Sequence, residues 1–396
     1  MKNIEEKDKV YRNKDFFGCL VESQFENGME LLHSIPNMPV KCSVSNKETD
    51  YKKDYVMDFN VYIDKATGMI QVNPLVPLDI LYETQHNDSN GGTWLQHHLE
   101  FKDFILKNGQ RNVIEFGAGS GILSKLFLKE NKDCKWTILD INTDLLKDRE
   151  DISVIKGEIN KDSEISEEYD TFIHSHLIEH IYNPEDFLEL LGEKSKYDSN
   201  HIFSLPNLRV WLEKKHSNTI FFEHSLFLEE AFLDFLLKKN GFEIIEKSYY
   251  KDHSIFYFCK NKKRNLLDNN TPIDRYKENL KKYKDYVESI ENYTKHILDN
   301  VKEGDDVFLF GAHIFSQILL KMGLEQVNII SILDNSPLKI GKRLYGFEHT
   351  ISSPEIISKY KKPIVVLHAG SYQEEIKNQL TKINQNVIIL EIEENK

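Results

Sequence analysis

Apolar and polar positions alternate in three different textures along the chain. Over residues 1–95 the pattern is short and two-fold. YVMDFNVYID and TGMIQV predict strands, and the proline-marked NPLVPLDILYE adds short extended pieces and turns. From residue 96 to residue 262, short apolar runs alternate with helical periods. NVIEF, KWTILDI, ISVIKG, YDTFIHS and HIFSLP predict strands, followed by the late pair GFEIIEKSYY and DHSIFYFCK. PEDFLELLGEK and LEEAFLDFLLKKN predict amphipathic helices between them, so this region reads as a mostly parallel α/β sheet.

The polar stretch NKKRNLLDNNTPID reads as a linker into a long helix, from Arg275 to about Val301, with sparse apolar positions. Beyond it, DDVFLFGAHIFSQILLKMG predicts a strand, a glycine turn and a helix, and VNIISILDN and KPIVVLHAG predict two more strands. The expected organisation is an N-terminal lobe (1–95), a central α/β domain (96–262), and a linker helix with a second α/β domain (263–396).

Composition narrows the partners more than the fold. The chain of 396 residues is 40% hydrophobic and 29% charged, ordinary for a globular protein. No apolar run approaches the roughly 18 residues of a membrane span. The charged start MKNIEEKDKVYRNKD lacks a signal-peptide core, so a cytoplasmic protein with no membrane partner is expected. A net charge of −13 argues against a nucleic-acid polymer, which needs a basic surface. The basic run KNKKR (260–264) reads as a solvated loop, and Cys19, Cys42, Cys134 and Cys259 as reduced thiols.

Candidate chemistry begins at the turn after NVIEF. Gly117, Ala118, Gly119, Ser120 and Gly121 lead straight into ILSKLFLKEN, so a ligand can lie against bare backbone and helix-start amides. The next strand ends on Asp140, 21 residues after Gly119, where a carboxylate can accept both ribose hydroxyls of an adenosine, with Ile141 beside it. A dinucleotide fingerprint wants a further glycine where Ile122 stands. Glu115 instead completes E-x-G-x-G, typical of class I methyltransferases, which implies S-adenosylmethionine with Glu115 near its amino-acid and sulfonium end. Glu158 and Ile159, after the third strand, are expected at the adenine.

Downstream, HLIEHIYNP (His176, Glu179, His180) resembles the H-V-L-E-H-x-x-[DN]-P segment of S-adenosylmethionine-dependent sugar methyltransferases, many of them nucleotide-sugar C-methyltransferases. SLPNLRVWLEKKHSNTIFFEHSLFL is similar to that family's substrate motif, with Glu223 and His224 at its centre. FLFGAHIFSQILL, ILDNSPLKIGKRLYG and SPEI resemble its C-terminal Rossmann-like domain. The resemblance implies an α/β fold: a class I methyltransferase domain, a small N-terminal lobe and a second, C-terminal Rossmann-like domain. It also implies a nucleotide-linked carbohydrate substrate methylated on carbon or oxygen. Both reactions need a base near neutral pH, which suits histidine. By resemblance His224 is that base, with Glu223 orienting it or binding the sugar, and Phe221 beside them at the substrate. His176 could stabilise an enolate or bind substrate. Glu179 and His180, read on the following helix, could cap or pack, and His253 is read on a late strand.

The chain departs from the family at two places. Its relatives often carry a small zinc-binding lobe reading C-x-x-C-G-L-V-Q, where Asp64 and Thr67 stand here, and the other pair retains only Cys19, with Glu22. No metal is therefore expected. The usual substrate tyrosine is also displaced, leaving Tyr82, His86 and Asn87 as available groups, which weakens methylation beside a 4-keto group as the specific reaction. Asp334 and Asn335 end a strand of the C-terminal domain and could hold part of a nucleotide or serve structure alone. The rival readings are a nicotinamide-dependent oxidoreductase and a binding protein that has lost its chemistry.

Overall fold

The structure, a computed structural model, describes residues 1–12, 28–83, 92–108, 111–160, 163, 165, 168–266 and 274–391. Cys19, Glu22, His86 and Asn87 lie outside the described residues. Among those described, no helix is long and apolar enough to cross a membrane.

The N-terminal strands are β1 (Lys2–Asn3), β2 (Met29–Pro39), β3 (Val44–Ser45), β4 (Tyr55–Asp64) and β5 (Ile70–Val72). The alternation in YVMDFNVYID buries Val56, Met57, Phe59, Val61 and Ile63 in β4, which pairs with β1, β2 and β5. β2 was not legible beforehand, because Pro36 and Pro39 argue against a strand. It lies at a sheet edge and its register shifts between Ile35 and Met38, the position where proline is tolerated. NPLVPLDILYE differs from its extended reading, since Leu78–Leu81 forms one helical turn, α1.

The central sheet is built from β6 (Asn112–Phe116), β7 (Lys135–Asp140), β8 (Ser153–Lys156), β9 (Thr171–Ser175), β10 (Asn200–Pro206), β11 (Phe242–Tyr250) and β12 (Ser254–Asn261). Its order is β11-β12-β10-β9-β6-β7-β8. β6 to β10 run parallel, and β12 and β11 add on antiparallel. Chain direction across the sheet reverses between β6 and β9, so a crevice opens at their carboxyl ends, the usual ligand position in such sheets. Helices α2 (Gly92–Leu106), α3 (Ile122–Glu130), α4 (Pro184–Lys194), α5 (Leu208–Glu213) and α6 (Glu230–Lys239) accompany it. The KNKKR run is less free than expected. Lys260 and Asn261 end β12, and Lys260 and Lys262 both pair with Asp198.

Helix α7 (Tyr276–Asn300) follows, then β13 (Val307–Phe310), α8 (Ile314–Lys321), β14 (Ile329–Leu333), β15 (Arg343–Leu344), β16 (Ile351–Ser352), β17 (Ile364–Leu367), α9 (Gln373–Ile383) and β18 (Ile388–Glu391). The sheet β16-β14-β13-β17-β18 is wholly parallel. α7 buries Asn279, Tyr283, Tyr286, Ile290, Tyr293 and Ile297 along one face, contacting β2 and β4 of the lobe. From the same face the Tyr293 hydroxyl donates to the carbonyls of Leu367 and Leu390, at the ends of β17 and β18.

A second tie is the clasp of β15 on β3. There Arg343 meets Asp54 through both terminal nitrogens (2.5 and 3.0 Å) and Thr49 through its carbonyl and hydroxyl (both 2.9 Å). In the turn after β4, the Asp64 carboxylate accepts from the Ala66 amide (2.8 Å) and the Thr67 hydroxyl (2.9 Å), closing the turn with hydrogen bonds.

Candidate active site

Gly117, Gly119 and Gly121 all have positive φ (63°, 57° and 69°), which explains why the turn is glycine-rich. A Cβ on Gly117 would stand 2.7 Å from the Leu177 side chain. Asp140 receives the Gly119 amide (3.0 Å) and the Asn142 amide (2.8 Å), so its carboxylate is anchored at the mouth of β7. Burial pushes its pKa up, against the amides that favour the charge. Glu115 is buried beneath the turn and accepts from the Trp136 indole at 2.8 Å; burial pushes its pKa up to about 7.

These groups line one cavity of about 1300 Å³, together with Ala118, Ile141, Glu158 and Ile159. Its volume exceeds the roughly 300–1,000 Å³ of a typical small-ligand pocket, leaving room for a second ligand beside an adenosine. Gly121 is not on this wall. It caps α3, and its carbonyl accepts from Ser124 (2.9 Å) and Arg149 (3.1 Å).

The same cavity is also lined by Tyr82, His176, Glu179, His180, Trp211, Asn218, Phe221, Glu223 and His224, and reaches Cys42 and His313. The segment bearing Glu223 and His224 is fastened to the N-terminal lobe: the Val72 amide donates to the Ser225 carbonyl (2.8 Å) and the Phe227 amide to Ile70 (2.9 Å). His224 Nδ1 lies 2.8 Å from the Asn218 carbonyl and donates to it, so Nε2 carries the lone pair. Its ring stands 4.6 Å from that of Phe221 and 4.7 Å from that of His180. The Tyr82 hydroxyl meets His180 Nδ1 at 3.2 Å, and a Glu223 carboxylate oxygen lies 4.0 Å from the same nitrogen. Burial pushes Glu223 up to about 7 and holds His224 well below its ordinary value, hence neutral.

Three sequence readings change. Glu179 and His180 lie on a single 3₁₀ turn, Ile178–His180, before α4 rather than on that helix, because Pro184 starts the helix only after Asn183. His253 lies in the turn between β11 and β12, just before Ser254 opens β12. His176 has φ 51°; its Nε2 meets Ser254 Oγ at 2.8 Å, and its Nδ1 lies 3.3 Å from Glu179. Trp94, His97 and His98 were not singled out from the sequence; Trp94 and His98 line the same cavity, and the rings of Trp94 and His97 stand 4.8 and 5.0 Å from that of His176. Their only signal was the run WLQHH, whose spacing on α2 does not reveal what it faces. In the C-terminal unit, Asp334 accepts the Ala312 amide (3.0 Å) and the Ser336 amide (2.9 Å), and Asn335 exchanges hydrogen bonds with Gln379.

Residues 94–247 match the family described as "Methyltransferase domain", and residues 258–390 match "C-methyltransferase C-terminal domain". No curated protein sequence matches the chain. Among solved structures, the chain is similar to a SAM-dependent methyltransferase from Aquifex aeolicus, at 15% identity over 40% of this chain and 88% of that one, TM-score 0.34. It is also similar to a magnesium protoporphyrin IX methyltransferase from Synechocystis PCC 6803 with bound SAH, at 15% identity over 45% and 89%, TM-score 0.34. A third is an S-adenosylmethionine-dependent methyltransferase from Clostridium acetobutylicum, at 12% identity over 41% and 92%, TM-score 0.34.

Proposed function

Because the chain is an S-adenosylmethionine-dependent methyltransferase, we propose that it methylates a carbon beside a carbonyl in a nucleotide-linked carbohydrate, with His224 as the base. The description "C-methyltransferase" for residues 258–390 supports carbon as the acceptor. A wide cavity walled by Trp211, Phe221, Tyr82 and Asn218, and continuing to His313, supports a substrate larger than a free sugar.

The residues present fit the cofactor. A turn with glycines at positive φ at 117, 119 and 121, an anchored Asp140 and the half-exposed Ile141 offer the phosphate-free cradle, ribose acceptor and apolar face an adenosine needs. Glu115 would face the ammonium end. When bound, the cofactor supplies an electrophilic methyl group. His224 Nε2 takes the proton from the acceptor carbon, whose electron pair then forms the new carbon–carbon bond. The imidazolium so formed keeps its Nδ1–H on the Asn218 carbonyl, and an ionised Glu223 offsets its charge. We assign proton transfer to His224 rather than to His176, whose Nε2 meets the Ser254 hydroxyl.

The observation carrying this reading is the Asn218 bond, which leaves the His224 lone pair free in the cavity of the glycine turn. His224→Ala should lower turnover about 10²–10⁴-fold with nucleotide-linked keto sugars while adenosylhomocysteine affinity stays unchanged. An unaffected rate removes His224 from the mechanism; NMR of a product methylated on oxygen would overturn the carbon assignment.

A further inference from the structure

We propose that His97, His176 and His253 form a binding site for a divalent transition-metal ion of the zinc class, one that ties three elements together at the edge of the cavity. The proposal goes beyond the methyl-transfer reading, and its test does not depend on turnover.

The three imidazoles come from different parts of the chain: α2, the residue after β9, and the turn between β11 and β12. One ring nitrogen of each lies within 4.8 Å of the other two. Packing alone does not account for them. His97 is wholly buried, and neither of its ring nitrogens has a hydrogen-bond partner among the described residues. A neutral imidazole always carries one N–H and one lone pair, and leaving such a group unsatisfied costs about 1–3 kcal/mol. A bound ion satisfies the lone pair directly.

The surroundings are those of a ligand set. Burial keeps all three histidines below their ordinary values, hence in the neutral form that metals take. The buried Ser254 hydroxyl lies 2.8 Å from His176 Nε2 and 2.6 Å from His253 Nδ1, an oxygen donor beside two of the three rings. His176 Nδ1 lies 3.3 Å from the buried Glu179, whose carboxylate oxygens have no hydrogen-bond partner among the described residues. A carboxylate so placed beside a ring nitrogen is the neighbour that orients metal-ligating imidazoles once the ring turns its N–H to it. Trp94 closes the cluster, its ring edge-on at 4.8 Å to His176 and 4.9 Å to His253. Three nitrogens and a hydroxyl suit zinc, cobalt, nickel or copper rather than magnesium or calcium.

A second grouping, Glu179, His180 and His224, is also close enough for an ion, but it contains the proposed base His224, and both of its imidazoles have a hydrogen-bond partner. The unsatisfied nitrogens lie at His97. The consequence reaches the cofactor, because His176 precedes Leu177, the side chain against which the Gly117 turn is closed.

The test uses the full chain, stripped with chelator and titrated with Zn²⁺ and with Co²⁺ as a spectroscopic probe. One ion per chain by elemental analysis, tetrahedral Co²⁺ visible bands and a metal-dependent rise in Tm are expected. His253→Asn, in a turn, and His97→Phe, among Phe101 and Phe256, should each weaken binding roughly 100-fold or more, whereas His224→Gln keeps it. If His97→Phe does not fold, the His253→Asn titration decides alone. Absence of Co²⁺ bands in the wild type, bands that survive His253→Asn, or bands lost in His224→Gln would each overturn the proposal.

Discussion

Replacing Arg343 by Met should release the clasp between the N-terminal lobe and the C-terminal unit. Arg343 is 2% exposed and Asp54 8%, so the pair is out of water. Removal of the guanidinium leaves Asp54 the Gly346 amide at 2.7 Å as a donor, and strands the Thr49 carbonyl. Breaking one side of such a buried pair costs about 3–5 kcal/mol, most of it the isolated carboxylate. At about 1.4 kcal/mol per tenfold, the lower figure is a loss of more than 100-fold in local protection. Hydrogen exchange followed by mass spectrometry, on peptides covering residues 44–55 and 343–347, reads this directly. Asp54→Asn combined with Arg343→Met should recover most of the loss, since an amide oxygen still accepts from Gly346 and no charge is stranded. Exchange in Arg343→Met within threefold of wild type, or a double variant as unprotected as the single, would refute the reasoning.

Two further outcomes follow from the central sheet. His201 is buried in β10 against His174, with Nε2 atoms 3.0 Å apart, and burial lowers it to about 3. A depressed histidine contributes stability present above its unfolded value near 6.5 and lost as pH falls. Wild type should therefore weaken relative to His201→Phe by about 1.4 kcal/mol per pH unit from 6.5 toward 3. The comparison with the variant isolates this from Glu115 and Glu223, whose raised values act in the opposite direction. Urea midpoints at three pH values decide it, a constant difference being the negative result. Trp136→Phe removes the donor to Glu115, so the pH below which calorimetric adenosylhomocysteine binding weakens should move upward from about 7. An unmoved profile would separate Glu115 from the cofactor's ammonium end.

The parts of the molecule readable from its sequence are those whose information is local. β6, the glycine turn and α3 follow one another, and the carboxylates Glu115 and Asp140 end adjacent parallel strands, so their convergence follows from the topology. Glu223 and His224 were legible through motif resemblance, but not the device that holds them, the backbone pairing of residues 225–227 with β5. β2 was hidden because two prolines outweigh propensity unless one knows that the strand lies at an edge. The cluster of His97, His176 and His253 was hidden for another reason. Its members are separated by whole elements, and only the antiparallel return of β11 into β12 brings the third ring to the first two.

Helix α7 changes what a fragment of this protein would be. By family match the chain divides after the methyltransferase region, and a cut there looks harmless. Yet the helix beyond that cut covers β2 and β4 with the same face that reaches β17 and β18. Severing the chain before α7 would therefore strip the lobe at the opposite end of the sequence and bare the ring faces of Tyr283 and Tyr286. The N-terminal and C-terminal pieces are partners in one inheritance: a duplication, fusion or truncation that moves one without the other would bare an apolar face, and the central domain is bound to the same lobe through residues 225–227.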